Sequence, residues 1–152
     1  MKTLYESILD DEDVLTSRIK RDVTNLSNIL YSLFNSTDEV ILEQIKSGIL
    51  DDFVENKLCL NLNQVKILYS KHDINKKLTI YSKHIVILII RYIPTLKQIT
   101  IEIRKRKYSN GLFTETIYKK LILFLKKIGF EAGAIWKICT DPVLYCIYEK
   151  NF

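Results

Sequence analysis

Ile99, Ile101 and Ile103 alternate with Thr100, Glu102 and Arg104. A period of two sends successive side chains to opposite sides of a strand, so one side of this segment is apolar and must be covered by a second layer. A chain bound by this demand folds as a sheet with something packed on it. The strand runs into the cationic stretch Arg104-Lys105-Arg106-Lys107, and the following Ser109-Asn110-Gly111 is turn chemistry.

Upstream the grammar is helical. Ile19, Val23, Leu26, Leu30 and Leu33 recur at helical spacing over roughly 17–34, and Asn35-Ser36 ends that helix. Thr37 followed by Asp38 and Glu39 predicts a second helix with Val40, Ile41 and Ile45 on its apolar face and Gly48 as its stop. A further turn through Asp51 to Val54 is compatible with the pattern. The charge follows the same division: residues 1–55 hold 12 acidic and 5 basic side chains, whereas residues 56–152 hold 6 acidic and 18 basic.

After Lys57 β-branched and aromatic residues come in short runs. Leu58-Cys59-Leu60, Val65 to Tyr69 and Leu78 to Tyr81 are the strand candidates, with His72 to Lys77 read as a polar loop. Ser82 is positioned to cap a helix over about 83–92 that stops before Pro94, and a buried strand over the β-branched Ile85 to Ile90 is the alternative. A helix closed by Gly129 is expected to turn Ile117, Leu121, Phe124, Leu125 and Ile128 inward and Lys119, Lys120, Lys126 and Lys127 to water. Ala134 to Cys139 and Val143 to Tyr148, flanking Thr140-Asp141-Pro142, read as a hairpin. The expectation is an α+β fold: N-terminal helices, then a small mixed sheet with helices on one face and a C-terminal hairpin. One domain over residues 1–152 is expected, comprising a docking segment at 1–15, an acidic helical part at 16–55 and a basic α/β part at 56–152.

Little in the chain points to catalysis. His72 lies beside Asp73 in a polar stretch, His84 falls in the first turn of the expected helix, and neither has ligand spacing to another histidine or a cysteine. Asp10 to Asp13 lack the glycine and distant glutamate of a calcium loop, and no glycine-rich phosphate cradle is present. Cys59, Cys139 and Cys146 lack metal-ligand spacing, which suits idle thiols in a reducing compartment. A protein that is not an enzyme and carries no metal or cofactor is therefore expected. The longest apolar run, Ile85 to Ile90, is far short of the ~20 residues that a membrane span requires.

Two binding surfaces are legible. Arg104, Lys105, Arg106, Lys107 and Tyr108, with Lys119, Lys120, Lys126 and Lys127, offer clustered cations to a polyanion, and Tyr92, Tyr108 and Tyr118 offer rings for base stacking. At the other end Leu4, Tyr5, Ile8 and Leu9 precede Asp10, Asp11, Glu12 and Asp13, a layout suited to docking a short helix in a groove with a basic rim. That rim belongs either to a partner or to the basic part of the same chain.

The same opening segment, Leu4-Tyr5-Glu6-Ser7-Ile8-Leu9-Asp10-Asp11-Glu12-Asp13-Val14-Leu15, resembles the start of small, largely uncharacterised proteins of Bacteroides-type bacteria and of the crAss-like phages that infect them. The resemblance implies an address or docking tag, and with it a structural or interaction protein of a phage virion or a packaged protein. Other protein subunits, its own copies included, are then the expected partners. Nucleic-acid binding is the alternative, and the expected location is the cytoplasm of the bacterium or infected host, or the virion.

Overall fold

The computed structural model describes residues 26–106, 115–136 and 143–152. The first helix, α1, covers residues 26–34 of the described chain, and Asn35 and Ser36 end it as expected. Thr37 then caps α2 (Asp38–Lys46), its hydroxyl accepting from the Val40 amide at 3.3 Å. Gly48, at φ +88°, carries the chain out of that helix, with paired reverse bonds from the Gly48 amide to the Ile45 carbonyl and from the Ile49 amide to Gln44. A short α3 (Asp51–Asn56) follows.

Strands β1 (Val65–His72), β2 (Asn75–Ser82), β3 (Ile85–Ile93) and β4 (Gln98–Arg106) form a meander. Helix α4 (Glu115–Lys127) leads from it to β5 (Glu131–Trp136) and β6 (Val143–Asn151). The sheet order is β1-β2-β3-β4-β6-β5, so β6 lies between β4 and β5. The fold is α+β, and every strand pair is antiparallel rather than mixed. The C-terminal hairpin is present but starts at Glu131, and its Thr140-Asp141-Pro142 turn lies outside the described residues.

The register explains the two layers. Leu78 faces Ile90, which faces Ile101; Ile80 faces Leu88, which faces Ile103; Tyr92 faces Ile99. These side chains share one sheet face and one buried cluster with Leu30 and Phe34 of α1, Ile41 of α2, Phe53 and Val54 of α3, and Leu121, Phe124 and Leu125 of α4. All four helices therefore cover the same face. One bulge adjusts the fit: Ile80 faces Leu88 and Tyr81 faces Val86, so Ile87 has no opposite number. Both Ile87 and Leu88 enter the core as a result.

Three local readings are corrected. The segment after Ser82 is strand β3, not a helix, because Lys83 and His84 (φ +50° and +67°) make a two-residue reversal between Ser82 and Ile85. Two successive left-handed residues match the twist of an antiparallel pair, and the β-branched run pays less in rotamer freedom as a strand. An antiparallel neighbour also needs no crossover helix. Residues His72 to Lys77 are not a loop, since pairing continues to His72 and Asn75 and only Asp73-Ile74 turn. Leu58-Cys59-Leu60 is not a strand; Leu58 and Leu60 are buried, but Cys59 takes φ +53° and no strand lies beside them.

Helices laid on a sheet end over apolar surface, where their last carbonyls need donors. Two sheet lysines supply them. The Lys76 ammonium on β2 donates to the Phe34 carbonyl at 2.6 Å and to Ser36 at 2.9 Å, closing α1. The Lys150 ammonium on β6 donates to the Ile128 carbonyl at 2.9 Å beyond α4 and to the Ser27 hydroxyl at 2.6 Å on α1. A positive charge also suits the negative end of a helix dipole. Burial pushes both ammonium groups below the ordinary lysine value.

A third tie joins β1 to α2, where the Tyr69 hydroxyl donates to Asp38 at 2.6 Å. That bond holds the Asp38 carboxyl below its ordinary value of 3.8, and burial followed by the Asp38 carboxylate raises the Tyr69 hydroxyl above its ordinary 10.0. The tie therefore contributes stability above the ordinary aspartate value, lost as pH falls through the lowered one. At the alkaline end the contribution is complete below the ordinary tyrosine value and is lost as pH rises towards the raised one.

Two outcomes are expected. Tyr69→Phe flattens the stability profile at both its acidic and alkaline ends, as urea midpoints measured across pH will report. Lys76→Met strands the Phe34 and Ser36 carbonyls and lowers unfolding free energy by about 1–3 kcal/mol at neutral pH, which equilibrium urea denaturation checks.

Candidate interaction surface

The two candidate surfaces read from sequence fare differently in space. Arg104 follows Ile103 by one residue and so points to the sheet face away from the helices. There its Nε donates to Glu102 at 2.8 Å, while Arg91 Nη1 donates to the other carboxylate oxygen at 3.0 Å. Glu102 is only 8% exposed, so this strand-end arginine serves a buried carboxylate. Lys119, Lys120, Lys126 and Lys127 are exposed on α4, on the helical side of the sheet. The described cations of the strand and of the helix therefore do not form one polyanion surface. Of the remaining strand-end candidates, Lys107 and Tyr108 lie outside the described residues and Lys105 and Arg106 are described in backbone only.

The tyrosines separate too. Tyr92 is not an open stacking platform; it is 4% exposed, stacks on Phe34 with centroids 5.5 Å apart and donates to Asn35 at 3.1 Å. Tyr118 is half-buried and packs against the core cluster. The segment carrying Leu4, Tyr5, Ile8, Leu9, Asp10, Asp11, Glu12 and Asp13 lies outside the described residues.

What sequence reasoning missed is a groove between the end of α3 and the outer side of α4. Asn56, Lys57 and Cys59 form one wall; Ile117, Lys120, Leu123, Phe124 and Lys127 form the floor and the other wall. Its volume is about 300 Å³. The helical spacing of residues 117, 120, 123, 124 and 127 puts them along one stripe of α4. Across from that stripe, the left-handed backbone at Cys59 turns the chain after α3 between the buried anchors Leu58 and Leu60. The Lys57 ammonium sits 4.6 Å from the centre of the Phe124 ring, a cation held against an aromatic face. Phe124 is anchored beneath by Phe53, centroids 6.3 Å apart.

The electrostatics of the groove are one-signed. Lys57, Lys120 and Lys127 line it and no described carboxylate does. Leu123, 58% exposed, adds apolar area to the lining. An apolar floor with an ammonium rim fits a ligand that is apolar on one side and anionic on the other. Cys59 carries an exposed thiol on the rim.

The histidines sit elsewhere. His72 is exposed at the end of β1, 3.9 Å from Asp73, and His84 occupies the β2–β3 reversal instead of a helical turn. Among the described residues no three His, Cys, Asp or Glu side chains gather as a metal site, and no helix is long and apolar enough to cross a membrane. No protein-family model matches the chain, and no curated protein or solved structure is significantly similar to it.

Floor and rim should respond differently to truncation. Phe124→Ala empties a buried ring site and is expected to cost about 3–5 kcal/mol, whereas Leu123→Ala stays within about 0.5 kcal/mol of wild type. Thermal and urea unfolding of the two variants measure the contrast.

Proposed function

We propose that the chain is a non-enzymatic interaction protein whose α3–α4 groove receives an acidic, amphipathic segment of a protein partner. The observation that carries this reading is the groove itself: an apolar floor of Ile117, Leu123 and Phe124 rimmed by Lys57, Lys120 and Lys127. Apolar contact supplies affinity there, and the one-signed rim selects and steers acidic partners. The resemblance of residues 4–15 to segments in proteins of Bacteroides and crAss-like phages supports a setting in a phage particle or in the infected cell, with other subunits as partners.

A lysine-bearing helix also suits nucleic acid, but two features favour protein. The apolar floor gives phosphates nothing, and Arg104 is engaged by Glu102 on the other sheet face.

The test is fluorescence anisotropy with a synthetic helical peptide that carries leucines at i and i+4 followed by four glutamates. The full chain is expected to bind it. Replacing Lys120 and Lys127 by Glu should weaken binding by about tenfold or more, as should raising salt from about 50 to about 300 mM. Equal peptide affinity for both chains would sink the groove reading. A 20-base-pair DNA duplex that binds more tightly than the peptide, and that loses affinity in the same double variant, would move the assignment to nucleic acid.

A further inference from the structure

We infer that the sheet face turned away from the helices binds single-stranded nucleic acid along β1 and β2. The inference stands apart from the groove reading, since it concerns the opposite side of the sheet.

Alternation along β1 turns Ile67 and Tyr69 towards the core and Lys66, Leu68 and Ser70 the other way. The register then sets Lys66 beside Tyr81, Ser70 beside Lys77, and Lys77 beside Arg91. Two hollows lie in line on this face. The first, about 490 Å³, is lined by Lys66, Leu68 and Tyr81, with Gln64, Lys83 and His84 at its end. The second, about 430 Å³, takes in Ser70, Lys77 and Arg91. No residue of α1 to α4 lines either hollow, and Leu68 and Ser70, successive side chains on one face, make the two contiguous. One end is held in shape, because the Lys83 amide donates to the Gln64 carbonyl at 3.2 Å and ties the β2–β3 reversal to the turn before β1.

The charge on this face is one-signed. No described carboxylate lines either hollow. Arg91 is occupied by Glu102, but Lys66, Lys77 and Lys83 make no ion pair among the described residues. Lys76 and Lys150 close helices on the other face; these three ammonium groups serve no such purpose in the fold.

The spacing and the company of the cations favour a single strand. Lys66 and Ser70, the latter beside Lys77, are about 13 Å apart along β1, the length of roughly four stacked nucleotides. Phosphates therefore meet cations at both ends of the run. Between them Tyr81, half-buried, offers a ring for a base, and the Gln64 and Asn75 amides offer donors and acceptors to base edges. A duplex keeps its bases stacked inside and gives Tyr81 nothing to stack on. An acidic peptide would find Leu68 as the one exposed apolar side chain among those lining the hollows.

The experiment titrates the full chain into a fluorescein-labelled oligothymidylate of about 15 nucleotides at about 50 mM salt and follows anisotropy. Wild type is expected to bind and to lose affinity steeply as salt rises. Tyr81→Leu, which keeps apolar volume but removes the ring, should weaken binding by about tenfold. Lys66→Gln with Lys77→Gln should weaken it by about tenfold or more and flatten the salt dependence. Lys120→Gln with Lys127→Gln removes the same charge from the helical side and should change it by less than about twofold. Circular dichroism and melting temperatures verify folding, and the lysine pairs decide the matter should Tyr81→Leu not fold. Absence of binding at low salt overturns the inference, as does an equal loss in both lysine pairs, which marks attraction to net charge alone. A duplex of the same length that binds more tightly overturns it too. Displacement by a polyglutamate peptide of equal charge as readily as by unlabelled oligonucleotide assigns the face to acidic protein instead. None of these outcomes alters the peptide affinity of the groove, which is read separately.

Discussion

One face of this sheet is too apolar to meet water. Ile80, Leu88, Ile90, Ile99, Ile101 and Ile103 are all completely buried on it, and the register stacks them strand after strand. Burying each such side chain is worth about 1.5–3 kcal/mol, so covering this face dominates the energetics of the chain. Everything on the helical side follows from that cover. Helices laid across an apolar plane end above it, and the ends must be satisfied from the plane itself. Lys76 and Lys150 do so by reaching from strands to the carbonyls that close α1 and α4. A lysine stem can lie along apolar surface while its ammonium makes the polar contact.

The opposite sheet face solves a different problem. Alternation sends Thr79, Thr100 and Glu102 there, and all three are buried. A buried carboxylate is tolerable only when paired, and Arg91 and Arg104 pair with both oxygens of Glu102. Charge that looks like a binding patch in one dimension is partly structural in three. Lys57, Lys120 and Lys127 by contrast lie on the helical side, around the exposed Leu123 of α4.

Features set by local chemistry were readable from sequence: Thr37 as a cap, Gly48 and Gly129 as stops, the alternation at Ile99 to Ile103, and the inward stripe of α4. Gly129 reproduces the reverse bonding seen at Gly48, with its amide bonded to Lys126 and the Phe130 amide to Leu125. What stayed illegible was set by partners distant in sequence. A β-branched run such as Ile85 to Ile90 fits a buried strand or a buried helix equally until its neighbours are known. Lys83 and His84 bear no glycine or asparagine mark of the left-handed turn they form. Leu58 and Leu60 alternate like a strand, yet both plug the core from an irregular segment. The lysines of α4 were legible, but the groove was not, because Lys57 and Phe124 meet only after the sheet has brought α3 and α4 together.

The position of β6 between β4 and β5 also dictates an order of events. Strands β1 to β4 pair with their neighbours in sequence through short connections, so this meander can assemble as soon as it leaves the ribosome. Its β4 margin must then wait while α4 and β5 are synthesised, since its partner comprises residues 143–151. Until then β4 is paired only on its β3 side, and its outer edge, along Ile99, Ile101 and Ile103, is a template for any other strand within reach. The last strand of the chain is thus the one that turns this exposed margin into the interior of a sheet.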